Sequence, residues 1–322
     1  MSVIVGLPDA IGRAFPELAA AAWPDEARST CAACPLVAEG RFNPATRCCT
    51  YHPTLANWQA GRALARGGDG AVLVRARIAR GEGVGPLGIG PTEAFVRRYA
   101  RPDAGFGTDA RLRCPYWAGG EFSCGVWSDR NATCRTWFCR HDDGVRGPRW
   151  WSAVREALGA AEQALARRCI EGAVPPAEPD TDVWVAWFEA CAARADAVRD
   201  LEVPDHAALI AALGAARAEL EAGLPDRLMG AITDATVRGD RIVLVGASRY
   251  DPYEGPVAVR ALIDAMTGGP WREAMARASA ATGVAFDEAL VTTLYRRGLL
   301  VAAAGSTAPD HAARCSALNG LG

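Results

Sequence analysis

The chain has 322 residues, of which 50% are hydrophobic, and its net charge is −2; this is the composition of an ordinary globular protein. All of its basic residues are arginine, because the sequence contains no lysine. This excludes Schiff-base lysine chemistry and a P-loop lysine for nucleotide phosphates. No stretch approaches the roughly 18 apolar residues of a membrane helix, and residues 1–30 lack a secretory signal pattern. We therefore expect a cytoplasmic protein with no membrane partner.

The predicted elements are mostly helices. Thr54 is the expected N-cap of a helix that continues through Leu64 and stops at the glycines of residues 67–70. Residues 71–78 fit a helix or a strand by periodicity, and a helix ending at Gly81 is favoured. Further helices are predicted as a short lead-in within residues 1–30 and at residues 92–99, 150–170, 182–201 and 205–222.

Two segments between these helices lack a regular period. Residues 81–91 are glycine-rich, which predicts a loop. These glycines do not indicate a nucleotide-binding motif, because the strand-then-helix context of that motif is missing. Residues 113–141 are rich in aromatic residues, cysteines and turns. We expect the second segment to be held by bound ligands more than by regular structure.

The C-terminal region has a different pattern. β-branched residues flank the turn at residues 238–240, which predicts a hairpin of residues 235–237 with residues 241–245. Asp287 is the expected N-cap of the last helix and Gly298 its stop, before a short apolar tail. The three predicted helices after the hairpin cover residues 256–266, 271–282 and 287–297.

A hairpin followed by three short helices resembles a winged-helix module. More narrowly, this order is similar to the PqqD-type peptide-binding domains that accompany peptide-modifying enzymes. The resemblance implies a peptide or protein partner for the C-terminal module. Nucleic acid is not an expected partner, because arginines and acidic residues are equally numerous in residues 224–303.

Eight of the eleven cysteines fall into two bunches. The first bunch is Cys31, Cys34, Cys48 and Cys49, and the second is Cys114, Cys124, Cys134 and Cys139. Thiolate sulfur is the ligand of both iron–sulfur clusters and structural zinc, and a reducing cytoplasm disfavours disulfides. We therefore predict that all eight are metal ligands. Cys169 and Cys191 lie within helical patterns and are expected to be small buried hydrophobes.

Two histidines lie close to these bunches. His141 follows Cys139 and is predicted to be a ligand or proton relay. His52 follows Cys49, and either ligation or a hydrogen bond to the backbone fits its position. The backbone hydrogen bond is slightly favoured.

A C-x2-W pattern occurs three times in the second bunch with a period of ten residues. The pairs are Cys114–Trp117, Cys124–Trp127 and Cys134–Trp137. Three indoles at one offset from three ligand sulfurs would exclude water from a metal site, and such a shell changes its reduction potential. The alternative is that the tryptophans are ordinary core residues.

The second bunch resembles the YkgJ-like cysteine-cluster family, described as a zinc- or iron-chelating domain. The matching residues are Cys114-Pro115, Cys124-Gly125-Val126-Trp127, Arg130, Cys134-Arg135 and Cys139. The first bunch follows the family's order, but thirteen residues rather than two separate Cys34 from Cys48, and Asn131 replaces the usual proline. The resemblance covers residues 28–142 and implies metal chelation. Arg130 and Arg135 then either bind an anion or neutralise an anionic cluster, and we favour the second role.

The metal is predicted from the cysteine spacing, and the function from the eight cysteines together with the hairpin–helix module. Irregular cysteine spacing favours one or two [4Fe–4S] clusters, with Zn²⁺ as the alternative. We therefore predict an iron–sulfur protein that is a redox or peptide- or protein-modifying enzyme, or its electron-transfer component. The alternative is a non-enzymatic zinc module with a structural or interaction role. No residue is assigned a catalytic role.

The predicted fold class is mostly α (α+β), with three regions. Residues 1–173 form a cysteine-rich metal-binding domain with flanking helices, and residues 180–223 form a helical connector. Residues 224–322 form the winged-helix-like module.

Overall fold

The structure is a computed structural model, and it describes residues 7–21, 23–24, 26–29, 33–119 and 124–306. The chain is about 48% helical and 11% strand, so the predicted mostly α, mixed α+β class is confirmed at that level. The helices are α1 (Asp9–Ala14), α2 (Pro16–Ala20), α3 (Pro35–Ala38), α4 (Asn57–Arg66), α5 (Gly68–Ala79), α6 (Glu93–Tyr99), α7 (Ala132–Thr136), α8 (Arg146–Ile170), α9 (Thr181–Ala197), α10 (His206–Glu221), α11 (Val259–Ala265), α12 (Trp271–Thr282) and α13 (Glu288–Arg296).

The strands are short and form small antiparallel sheets. They are β1 (Leu55–Ala56), β2 (Val84–Gly85), β3 (Gly88–Ile89), β4 (Arg227–Gly230), β5 (Asp234–Arg238), β6 (Arg241–Val245), β7 (Tyr253–Pro256), β8 (Thr267–Pro270) and β9 (Leu300–Ala302). The strand orders are β1-β3-β2, β8-β4-β9 and β5-β6-β7. None of the helices in the described ranges is both long and apolar enough to cross a bilayer.

The chain divides into two compact units. The first unit comprises Met1–Trp137 with Trp151–Leu213, and the second comprises Phe138–Trp150 with Gly214–Gly322. The predicted boundaries at residues 173, 180 and 224 stay predictions.

The core of the first unit forms where α4 packs on α9. Leu55, Val74, Ile89 and Phe188 are buried there without exposed surface. The two helices approach closely at Gly61, where an added Cβ would lie 1.9 Å from the carbonyl oxygen of Phe188. A residue without a side chain is therefore required at this position.

The start of α4 differs from the prediction at Thr54. Leu55 and Ala56 belong to β1 and pair with β3, with Leu55 opposite Ile89. The side chain of Gln59 accepts a hydrogen bond of 2.9 Å from the Ala56 amide, so the helix is capped at Ala56. The predicted loop at residues 81–91 is also corrected, because β2 and β3 form a tight hairpin within it.

The second unit surrounds a core of α11, α12 and α13 with two sheets. Trp271, Leu262, Leu294 and Tyr295 are among its buried residues. The predicted hairpin is confirmed as β5 with β6. The predicted N-cap of α13 is also confirmed, because the Asp287 side chain accepts a hydrogen bond from the Leu290 amide at 2.8 Å.

Candidate metal centre

Cys48 and Cys49, the second pair of the first cysteine bunch, lie on a series of tight turns between Asn43 and Thr50. The amides of Thr46 and Arg47 both donate to the carbonyl oxygen of Asn43, at 3.1 and 2.7 Å. Arg47 has a φ of 50°, an unfavourable conformation for a residue with a side chain. Such turns leave few regular backbone pairs, so the segment depends on contacts from elsewhere in the chain.

Gly107 supplies two of those contacts. Its carbonyl oxygen accepts from the Asn43 amide at 2.8 Å, and its amide donates to the Thr50 hydroxyl oxygen at 2.9 Å. Its φ is 77°, and an added Cβ would lie 2.4 Å from the ring of Phe42. Both ends of the turn segment are thus tied to one residue that must be glycine.

The backbone joins the two cysteine bunches directly. The amide of Cys114 donates a hydrogen bond of 2.8 Å to the carbonyl oxygen of Cys49. Three residues after Cys49, Nε2 of His52 lies 3.0 Å from the carbonyl oxygen of Arg113. Cys49 and Cys114 are therefore neighbours in space, although more than sixty residues separate them.

His52 is held between this bond and an aromatic ring. Its imidazole stacks on Phe95 with centroids 3.5 Å apart. Burial lowers the pKa of His52 to about 4, against the bond to Arg113, which raises it. The ring is therefore neutral at pH 7, with the Nε2–H donating to the carbonyl. The predicted backbone hydrogen bond is present, and ligation through Nδ1 stays a prediction.

In the second bunch, Trp117 and Cys124 form an antiparallel bridge. Beside it, the Gly125 amide donates to the carbonyl oxygen of Tyr116 at 2.9 Å. Cys114 and Cys124 are thus carried on adjacent backbone segments.

Cys134 lies in the short helix α7. The side chain of Asn131 caps this helix by accepting a hydrogen bond from the Cys134 amide at 3.0 Å. Asn131, which stands where the resembling family has proline, therefore has a structural role here. The carboxylate of Glu162, on α8, accepts from the amide of Ala132, the first residue of α7, at 2.9 Å.

Four thiols of the first unit are linked by electrostatic interactions that act on Cys114 and Cys134. The four thiols are those of Cys49, Cys114, Cys124 and Cys134, and we call them the thiol centre. Burial raises the pKa of Cys114 well above its usual value; the Tyr116 amide lowers it, and the other thiols raise it. Burial also raises the pKa of Cys134, and Cys124 raises it further, whereas Arg130 lowers it. Two members therefore stay protonated near pH 7.

Cys49 differs from the other members of the thiol centre. A hydrogen bond from Cys48 lowers the pKa of Cys49, and the charges of Arg130 and Arg47 lower it further. Burial alone would raise this pKa. Thiolate is the form that binds metals and reacts with electrophiles. Cys49 thus reaches the thiolate form more readily than Cys114 or Cys134.

Two of the three repeated tryptophans carry an arginine on their faces. Arg130 lies over the Trp127 ring at 3.5 Å, and Arg47 lies over Trp117 at 5.7 Å. Trp137 instead contacts Phe106, with centroids 5.2 Å apart. All three indoles are partly exposed. Stacking between cation and ring holds positive charge beside the thiols, an effect that the C-x2-W spacing did not predict.

Arg130 and Arg135 have different surroundings. Arg130 donates to the carbonyl oxygen of Cys134 at 2.9 Å, and its charge acts on Cys49 and Cys134. Arg135 is buried, and its guanidinium donates to the carbonyl oxygens of Ser128 and Arg130. Burial lowers the pKa of Arg135. Arg130 is thus placed to neutralise charge at the thiol centre, and Arg135 braces the loop before α7.

The remaining predicted ligands are distributed more widely. Cys34 occupies the N-cap position of α3, and Cys48 precedes Cys49 in the turn segment. Cys139 and His141 belong to the second unit, so their part in a metal site stays a prediction. Cys31 lies outside the described residues. Cys169 and Cys191 are buried, as expected.

Sequence reasoning missed Glu162 and Arg47. A glutamate within a long amphipathic helix gives no local signal of burial, and Arg47 is one of many arginines. Among the described residues, no three histidine, cysteine, aspartate or glutamate side chains form a ready group for a metal ion. The thiol centre is therefore a set of neighbouring thiols and not a closed ligand shell.

Comparisons with known proteins give no family for this chain. No family model, no curated protein and no solved structure matches it. The resemblances to the YkgJ-like family and to the winged-helix module stay predictions, and function is argued from this chain's own residues.

Proposed function

We propose that this chain binds an iron–sulfur cluster through the thiol centre, drawing ligands from both cysteine bunches. The observation that carries the proposal is the hydrogen bond of 2.8 Å from the Cys114 amide to the Cys49 carbonyl oxygen. It brings one cysteine of the first bunch beside one of the second. The effect of Cys49 and Cys124 on the pKa of both Cys114 and Cys134 supports one shared centre.

The chemistry of the surroundings fits an anionic cluster. A cubane with four thiolate ligands carries net negative charge, and nearby charges and hydrogen bonds set its potential. Arg130 and Arg47 would supply compensating positive charge, each held over an indole. The bound cluster would accept and donate single electrons. The residues of this chain would hold it, tune its charge and limit its contact with water.

Zinc is the second candidate, because four thiolates also form structural zinc sites. Reconstitution of the metal-free protein under nitrogen distinguishes the two. Iron with sulfide should give a chromophore that dithionite bleaches and air oxidation restores. A protein that takes up zinc with high affinity but forms no such chromophore would refute the iron–sulfur proposal and support a structural zinc module.

We further propose that the second unit is a winged-helix-like module that presents a peptide or protein to the redox centre. In support, β5 is at the edge of its sheet and all five of its residues are exposed. Sheet edges accept extended peptides as added strands. Deletion of residues 225–322 should then abolish binding of the protein's peptide or protein partner. Unchanged binding after that deletion would refute this role.

A further inference from the structure

Glu162 is a buried acid that receives two hydrogen bonds from different parts of the first unit. Only 8% of the residue is exposed. Oε1 accepts from Nε2 of Gln59 on α4, and Oε2 accepts from the Ala132 amide at the start of α7, each at 2.9 Å. The carboxylate on α8 thus joins α4 to the helix that carries Cys134.

The orientation of the Gln59 amide is fixed by a second partner. Its Oε1 accepts from the Ala56 amide at 2.9 Å, so its nitrogen must face Glu162. Both groups that face Glu162 are therefore donors, and both of its oxygens must accept. A carboxylate meets this requirement, whereas a glutamine would oppose one donor with another.

The start of α7 has other supports as well. Asn131 caps the Cys134 amide, and Arg130 donates to the Cys134 carbonyl oxygen at 2.9 Å. The bond to Glu162 ties the Ala132 amide to α8, a helix of 25 residues. Displacement of Ala132 would move Cys134, two residues later.

Burial raises the pKa of Glu162 to about 7, whereas the Ala132 amide, the Arg135 guanidinium and Gln59 lower it. Above pH 7 Glu162 is therefore a carboxylate, the form that both donors require.

We propose that Glu162 is a positioning residue for the thiol centre, and that its two accepting oxygens, oriented by Gln59, hold Cys134 in place and restrain its reactivity. The effect on a bound metal rests on the proposed function. The effect on the Cys134 thiol does not, so the two can fail separately.

The test compares single and exchanged variants of this pair. Glu162→Gln leaves one donor facing another. The double variant Gln59→Glu with Glu162→Gln restores the pattern: residue 59 accepts from Ala56 and from the new amide, whose oxygen accepts from Ala132. The double variant loses the 3.3 Å hydrogen bond from Gln59 to the Arg130 carbonyl oxygen. That carbonyl oxygen still accepts the 2.6 Å hydrogen bond from Arg135. Glu156→Gln, at an exposed position of α8, is the matched control.

The first readout is the rate at which iodoacetamide alkylates Cys134 in the metal-free protein, followed by mass spectrometry. An unpaired buried donor costs enough to predict a rise of about tenfold in E162Q. The alkylation rate of the double variant should return to within about threefold of the native rate, and the rate of E156Q should equal the native rate. In iron-loaded protein, E162Q should also lose iron to a chelator faster and show an altered absorption spectrum.

Two results would overturn the proposal. One is a native alkylation rate in E162Q; the other is a double variant as reactive as E162Q. If E162Q does not fold, the double variant compared with E156Q decides the question on the same readout. Absence of metal from every variant, with the predicted alkylation pattern intact, would instead count against the proposed function alone.

Discussion

The amide of Cys114 donates to the carbonyl oxygen of Cys49 at 2.8 Å, and this contact brings together two cysteines from bunches that are far apart in the sequence. Each bunch alone has four thiols, which would suggest one metal site per bunch. The proposed function instead places ligands from both bunches in a single site. Loss of a ligand from either bunch should then affect the same metal.

Cysteine substitution tests whether the two bunches share a site. Cys49→Ser and Cys134→Ser should each remove most of the bound iron, because both residues are ligands of the one proposed cluster. Iron and sulfide analysis of the purified variants measures this. Cys191→Ala, in the buried face of α9, is the control and should keep full iron content. Retention of half the iron in each serine variant would instead indicate two independent sites.

Cys49 should be the first member of the thiol centre to react with iodoacetamide in the metal-free protein. The Cys48 hydrogen bond lowers the pKa of Cys49, with Arg130 and Arg47, whereas burial raises the pKa of Cys114 and Cys134. Cys48→Ala should move the midpoint of the rate-against-pH profile for Cys49 to higher pH. An unmoved midpoint would show that the hydrogen bond has no such effect.

The stability of the first unit should depend on His52 in mildly acidic solution. Burial lowers the pKa of His52 from 6.5 to about 4, so the unfolded chain binds this proton more readily than the folded one. Its contribution is present in full above pH 6.5 and is lost as the pH falls towards 4. Urea unfolding between these values should show the loss, and His52→Gln should flatten it. NMR titration of the imidazole near pH 6.5 would contradict this expectation.

Gly61 should not tolerate a side chain. Gly61→Ala would place a Cβ 1.9 Å from the Phe188 carbonyl oxygen and force α4 from α9, at a cost of about 1–3 kcal/mol. The control is Gly214→Ala in α10, where nothing lies within 4 Å of the added atom. That change should be neutral or stabilising by about 0.5–1 kcal/mol. Equal unfolding free energies for the two variants would contradict the close approach.

Local signals in the sequence predicted several elements correctly. The glycine turn at residue 239 gave the β5–β6 hairpin, and Asp287 caps α13 as expected. These features depend on residues close together in the chain. The prediction of Thr54 as the N-cap of α4 was wrong, because the side chain that caps the helix is that of Gln59, inside it. Strands β4 and β8 were missed because distant partners, and not their own composition, define them.

The candidate site was predicted only in part. The cysteine pattern identified the members of the thiol centre, but spacing cannot show that Cys49 meets Cys114. Nor can it show that Glu162 reaches Ala132 from thirty residues away. Both relationships arise from packing of elements far apart in sequence.

Iron and acid-labile sulfide analysis of protein purified without oxygen, with its absorbance spectrum, tests the central claim most directly. One shared cluster predicts about four irons and four sulfides per chain, together with broad visible absorption that Cys49→Ser abolishes. Zinc without colour would contradict the iron–sulfur assignment, and the absence of any metal would contradict the metal centre itself.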